Sequence, residues 1–129
     1  MAEPLPPSRP VPAPIRVFDC DDSAAFRLLV REMLLELGGV EMVGEAEDLD
    51  EALVRLPAAP ADVVLVDLFE HDRPERLLPL LREAAPAARM LLYTGMPGDR
   101  VPTGADGHIH KSVSFTDLHR AILEAAGSA

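Results

Sequence analysis

The sequence predicts an α/β protein built on a doubly wound, five-stranded parallel sheet. Three observations carry this. Short apolar runs alternate with stretches whose apolar residues recur at helical spacing. The run "DVVLV", 62–66, is continuously apolar after its Asp, as a strand covered on both faces should be. The chain has 129 residues, 48% of them hydrophobic, which is enough for one core and too little for two. Trp is absent and aromatics make up only 4%, so that core must be aliphatic.

Residues 1–14, "MAEPLPPSRPVPAP", hold six prolines and are expected to form a polyproline-like tail, with the folded domain at 15–129. Ile15–Phe18 is the first expected strand. Asp22 or Ser23 caps a helix reaching about Leu37, with Phe26, Val30, Met33 and Leu37 on its inner face and Arg27, Arg31 and Glu36 away from it. Gly38-Gly39 stops that helix. "VEMVGEA" gives a second strand and "DLDEALVRL" a short helix ended by Pro57. Asp62–Val66 is the third strand. A helix over about Arg76–Ala85 follows, and Pro79 moves its expected start to Leu77 or Leu78, because proline is tolerated only in the first turn. Arg89–Tyr93 and His108–His110 are the last strands. Ser114-Phe115-Thr116-Asp117 resembles a capping box opening the final helix, which Gly127 ends.

In such a sheet, groups at the carboxyl ends of the strands converge on one crevice. Asp19, Asp21 and Asp22 follow the first strand in "IRVFDCDDSAAF", Asp67 ends the third, Thr94 the fourth and Lys111 the fifth. Clustered carboxylates either share protons or bind a cation, and an all-oxygen donor set favours Mg²⁺ over zinc. A carboxylate nucleophile, a Mg²⁺, an ammonium and a hydroxyl suffice for phosphoryl transfer, which rests on positioning and charge stabilisation. The bland alternatives are that Asp22-Ser23 is only a helix cap and that Lys111 is only a structural partner of Asp67.

The stretches "VFDCDDSAAFRLLVREMLLELGGVEMVGEAEDLDEAL", "DVVLVDL", "LLYTG" and "GADGHIHKSVSFTDLHRAI" together resemble the receiver domain of two-component response regulators, most closely receivers that precede a C-terminal helix-turn-helix in transcription regulators. The resemblance implies a flavodoxin-like fold with sheet order 2-1-3-4-5. It implies a phosphoacceptor switch in which a sensor histidine kinase phosphorylates Asp67. Mg²⁺ would be held by Asp22, Asp67 and the backbone carbonyl of Phe69, with Asp21 acting through water. Thr94 and Lys111 would bind the phosphoryl group, and His108 stands where the family usually has an aromatic switch residue. The implied role is regulatory rather than enzymatic, with a downstream protein or effector domain as output and room for a homodimer.

Two alternatives stand beside it. One is an atypical receiver that binds protein partners independently of phosphate. The other takes "VFDCDDS" as the D-x-D motif of a Mg²⁺-dependent phosphatase with Asp19 as nucleophile, but this leaves Asp67 without a role and finds no late acidic pair. The chain also departs from the family. From Thr94 to His108 is 14 residues, and the interval carries Pro97, Gly98, Pro102 and Gly104, so the family's fourth helix should be shortened or missing. Phe69 and Met96 put bulk two residues beyond Asp67 and Thr94, which should hinder an attacking water. Cys20 should pack as a small apolar residue.

The formal net charge of −10 argues against direct contact with nucleic acid. One cysteine excludes an internal disulfide, and no apolar run nears the roughly 18 residues of a membrane span. A cytoplasmic location without membrane contact is expected.

Overall fold

The computed structural model describes residues 13–67, 73–95 and 104–127. Five parallel strands form one sheet in the order β2-β1-β3-β4-β5: β1 (Ile15–Asp21), β2 (Val40–Ala46), β3 (Val63–Asp67), β4 (Arg89–Thr94) and β5 (Gly107–His110). The described residues also form four α-helices: α1 (Ala24–Leu37), α2 (Leu49–Arg55), α3 (Pro74–Ala84) and α4 (Phe115–Gly127). The proline-rich segment 1–12 lies outside the described residues, as does the interval 96–103, on which the shortened fourth helix was expected.

Alternation along the strands divides the core into two layers. On one face Phe18, Cys20, Val64, Val66, Met90 and Leu92 meet α2 and the buried Leu77, Leu78 and Leu81 of α3. On the other, Val17, Val63, Leu65, Leu91 and Tyr93 meet Val30 and Leu34 of α1 and Leu118 and Ile122 of α4. Fully burying one such aliphatic side chain is worth about 1.5–3 kcal/mol, so the two layers dominate the stability. The register of β1 against β2 slips between Val17 and Phe18, which sets Gly44 beside the Phe18 ring. A Cβ at position 44 would lie 2.6 Å from that ring, so only glycine fits.

Three expectations are corrected. β1 runs through to Asp21, because its pairing with β3 continues past Phe18 to Cys20–Val66 and Asp21–Asp67. Asp19 and Asp21 are therefore strand residues rather than loop residues. Helix α3 starts at Pro74, which occupies the first-turn position where a missing N–H costs nothing, and Pro79 sits inside the helix. Burial of Leu77, Leu78 and Leu81 holds the helix despite the absent N–H of Pro79. In α1, Val30 is buried and Phe26 packs against the same core, as expected, but Leu34 takes the inward place expected of Leu37, which is exposed. Arg27 and Arg31, expected to point away from the core, reach Glu45 of β2 at 3.6 and 2.8 Å.

Candidate functional site

Asp21 and Asp67 are register partners at the carboxyl ends of the adjacent strands β1 and β3. Each strand delivers its aspartate where the ladder ends and the following loop departs. Lys111 comes one residue after β5 and reaches back over 90 positions of sequence. Its Nζ donates to Asp21 Oδ2 at 2.7 Å and also pairs with Asp67 Oδ2. The ammonium lies 4.1 Å from the centroid of the Phe26 ring, so α1 supplies an aromatic wall behind it. Thr94, 3% exposed, ends β4, and its carbonyl accepts the backbone N–H of Lys111 at 3.0 Å. The hydroxyl-bearing and ammonium-bearing residues are thereby joined through the main chain.

The electrostatics at this end are tense. Asp21 is 1% exposed, and burial pushes its carboxyl up, against the hydrogen bonds from Lys111 and the Ser23 N–H that favour the charged form. Lys111 shows the converse. Burial opposes its charge, but the bonds to Asp21 and Asp67 win and raise it. Asp19, one alternation behind Asp21, is 2% exposed and Oδ2 has no hydrogen-bond partner. Burial first, then Asp21 and Glu45, push its carboxyl up to about 8. Near neutral pH Asp19 therefore carries a proton. A buried, protonated carboxyl is a poor nucleophile, which weighs against the D-x-D phosphatase alternative.

Asp22 is exposed and lies directly before the Ser23 that caps α1 by accepting the Phe26 N–H. Cys20 points to the opposite face and is fully buried in the α3-side core. His108 is half-buried in β5, in a shallow recess with Asp106, Ala121 and Glu124. Phe69 and Met96 lie outside the described residues, so the proposed backbone carbonyl ligand and the steric screen do too.

Two carboxylates, Asp21 and Asp67, share one ammonium, Lys111, and Asp22 follows Asp21 in sequence, so the set offers oxygen donors only. That donor chemistry suits a hard divalent cation such as Mg²⁺. The oxygens are not drawn together on their own. Among the described residues, the acidic group whose oxygens all fall within 4.8 Å is Glu47, Asp48 and Glu51 at the start of α2, where Asp48 caps the helix by accepting the Glu51 N–H. In the carboxyl-end site Lys111 stands between Asp21 and Asp67 and supplies the local countercharge.

One residue was missed by the sequence reading. His110, the last residue of β5, contacts Gly95 through one ring nitrogen and Ser112 through the other. The Ser112 half is a local pattern that a His-x-Ser spacing could suggest, whereas the Gly95 half depends on pairing between strands.

No protein-family model matches the chain. It is similar to the DNA-binding transcriptional activator DevR/DosR of Mycobacterium tuberculosis, 30% identical over 116 residues, covering 85% of this chain and 54% of that protein. The chain thus spans about half the length of this curated relative. Its structure is similar to the signal receiver domain of the response regulator NarL from Mycobacterium tuberculosis, with a TM-score of 0.75, 27% identity and coverage of 92% of this chain and 100% of the other. It shares its fold with a response regulator from Burkholderia pseudomallei solved with a phosphorylated aspartic acid, calcium ion and citrate, at a TM-score of 0.72 and 24% identity, covering 87% of this chain and 68% of that one.

Proposed function

Because the chain belongs to the response regulator receiver domains of two-component systems, we propose that it is a phosphoacceptor switch whose acceptor is Asp67. The observation that carries this reading is the pairing of Lys111 with both Asp67 and Asp21 at the carboxyl end of the sheet. A carboxylate oxygen of Asp67 attacks the phosphorus of a phosphohistidine or a small phosphodonor. The new acyl–phosphate bond forms as the donor–phosphorus bond breaks, and the departing imidazole or amine leaves with that bond's electron pair and takes a proton from solvent. Lys111 stabilises negative charge on one phosphoryl oxygen, and the Thr94 hydroxyl donates to another. Asp21, Asp22 and Asp67, with the carbonyl of Phe69, would hold Mg²⁺. Bound there, the ion would neutralise charge between the acceptor and the phosphoryl oxygens.

Lys111 already occupies the space between Asp21 and Asp67, so an incoming phosphoryl group would compete for it. Drawing Lys111 and Thr94 toward the phosphoryl oxygens would shift a pre-existing conformational equilibrium. His108 would report that shift. The kinase would be a sensor histidine kinase and the output a downstream protein or effector domain. In this reading the domain catalyses only its own phosphoryl transfer and loss, works in the cytoplasm, and carries residues 1–14 as a tail outside the folded unit. Among the described residues, no helix is long and apolar enough to cross a membrane.

The test is direct. Incubation with Mg²⁺ and a small-molecule phosphodonor should add the mass of one phosphoryl group to the wild type and none to Asp67→Ala, and a chelator should suppress the addition. A wild type that gains no mass under saturating Mg²⁺ would reject the phosphoacceptor reading in favour of phosphate-independent protein binding.

A further inference from the structure

The β4–β5 ladder ends with Thr94 opposite His110, and the Lys111 N–H closes it on the Thr94 carbonyl. Beyond that point the two chains should separate, one into the segment after Gly95, the other into the turn before α4. They are held for one further rung by a side chain. His110 Nε2 lies 3.0 Å from the Gly95 carbonyl, and Nδ1 lies 3.0 Å from the Ser112 backbone nitrogen and 2.7 Å from Ser112 Oγ.

These contacts select one tautomer of the ring. A carbonyl only accepts, so Nε2 must carry the hydrogen it donates to Gly95. A backbone N–H only donates, so Nδ1 must be bare to accept from Ser112. The contacts therefore suit the Nε2–H tautomer, with one nitrogen engaged by Gly95 and the other by Ser112. Gly95 directly follows Thr94, and Ser112 directly follows Lys111. The ring thus spans the residues next to the two groups that would grip a phosphoryl oxygen.

We propose that His110 is a positioning residue that ties the Thr94–Gly95 backbone to the Lys111–Ser112 backbone, so that the hydroxyl and the ammonium approach the phosphoryl group as one unit. This rests on the phosphoacceptor reading of Asp67. The tie adds to the main-chain bond from the Lys111 N–H to the Thr94 carbonyl by also holding together Gly95 and Ser112, the residues that follow each. The bond to Gly95 sets the separation of the loops, and the bonds to Ser112 set the orientation of the ring.

The experiment compares the full chain with His110→Ala, His110→Gln and His110→Asn. Gln keeps a donor at the place of Nε2 and can hold Gly95 but not Ser112. Asn keeps an acceptor at the place of Nδ1 and can hold Ser112 but not Gly95. In saturating Mg²⁺ the rate of phosphorylation by phosphoramidate should fall about tenfold or more in all three, since a group freed to wander by a fraction of an ångström loses that much. Melting temperatures should stay close to that of the wild type, because the bonds are exposed. Nitrogen-15 NMR of the wild type should show the Nε2–H tautomer, and the Thr94 and Lys111 amides should shift together on phosphorylation. Wild-type rates in His110→Ala, or an Nδ1–H tautomer, would overturn the proposal alone. Rates that recover in Gln or Asn would also overturn it, because one tether would then be enough. A wild type that takes no phosphoryl group would overturn the acceptor reading and this proposal with it. Should His110→Ala fail to fold, the Gln and Asn variants decide the matter by the same rates.

Discussion

The two ends of the sheet both carry aspartates paired with cations, yet they treat those aspartates in opposite ways. At the amino end, Asp62 accepts from the Arg16 backbone N–H at 2.8 Å and pairs with its guanidinium at 3.1 Å, and Asp106 accepts from the Met90 N–H at 2.7 Å and pairs with Arg82 at 2.9 Å. The Arg16 side chain pulls Asp62 below the usual carboxylate range. Burial works against Asp106, but its bonds to Met90 and Arg82 bring it below that range too. At the carboxyl end, Asp19 and Asp21 are buried and both are pushed up. One end uses carboxylates to satisfy strand amides and fasten loops. The other holds them against their preference, in a place where only a cation or a proton relieves them. Raised carboxylates beside a single lysine are what an ion and a phosphoryl group can exploit, and satisfied ones are not.

The largest contrast between the ends should come from removing the cation. Lys111→Met leaves Asp21 buried beside Asp67 without its partner and should cost about 3 kcal/mol in urea unfolding, the scale for breaking a buried pair from one side. Arg82→Ala at the other end, where both partners are partly exposed, should cost under about 1 kcal/mol. Equal losses would erase the distinction.

A pH series sharpens it further. The folded chain holds the Asp19 proton more tightly than the unfolded chain does. Stability should therefore fall as pH rises from the ordinary aspartate range toward about 8, and Asp19→Asn should flatten that decline. Asp62 has the reverse sign. Its contribution is complete above the ordinary aspartate range and is lost as pH falls through its lowered value, so Asp62→Asn should flatten the acid limb instead. Urea midpoints across pH 3–9, as an approximate range around these titrations, would read both slopes. The smallest effect should be Arg16→Ala at neutral pH, with a shift in urea midpoint below that of Arg82→Ala, because Asp62 keeps its bond to the Arg16 backbone N–H.

These ends were not equally legible in the sequence. The strands and the residues at their tips could be read because apolar runs are local, whereas the strand order came only with the family resemblance. What failed depended on distant partners. Asp19 and Asp21 looked like loop residues because nothing near them reveals that β3 continues the ladder beside them. Arg27 and Arg31 looked outward-facing because Glu45, their partner, lies on another strand. Pro79 misplaced the start of α3, since a rule about single residues gave no weight to three leucines buried around it. The roles of Asp62 and Asp106 were invisible for the same reason, as each caps a strand amide remote in sequence. His110 was passed over in favour of His108, since its contact with Gly95 exists only once β4 and β5 are paired.

A Mg²⁺ titration followed by amide NMR asks most directly whether strain at the carboxyl end is what draws a cation. Saturable shifts centred on the amides of Asp21, Asp22, Asp67 and Lys111, with Asp62 and Asp106 unmoved, are the expected result. Shifts centred instead on Glu47, Asp48 and Glu51, or spread evenly over both ends of the sheet, would contradict it.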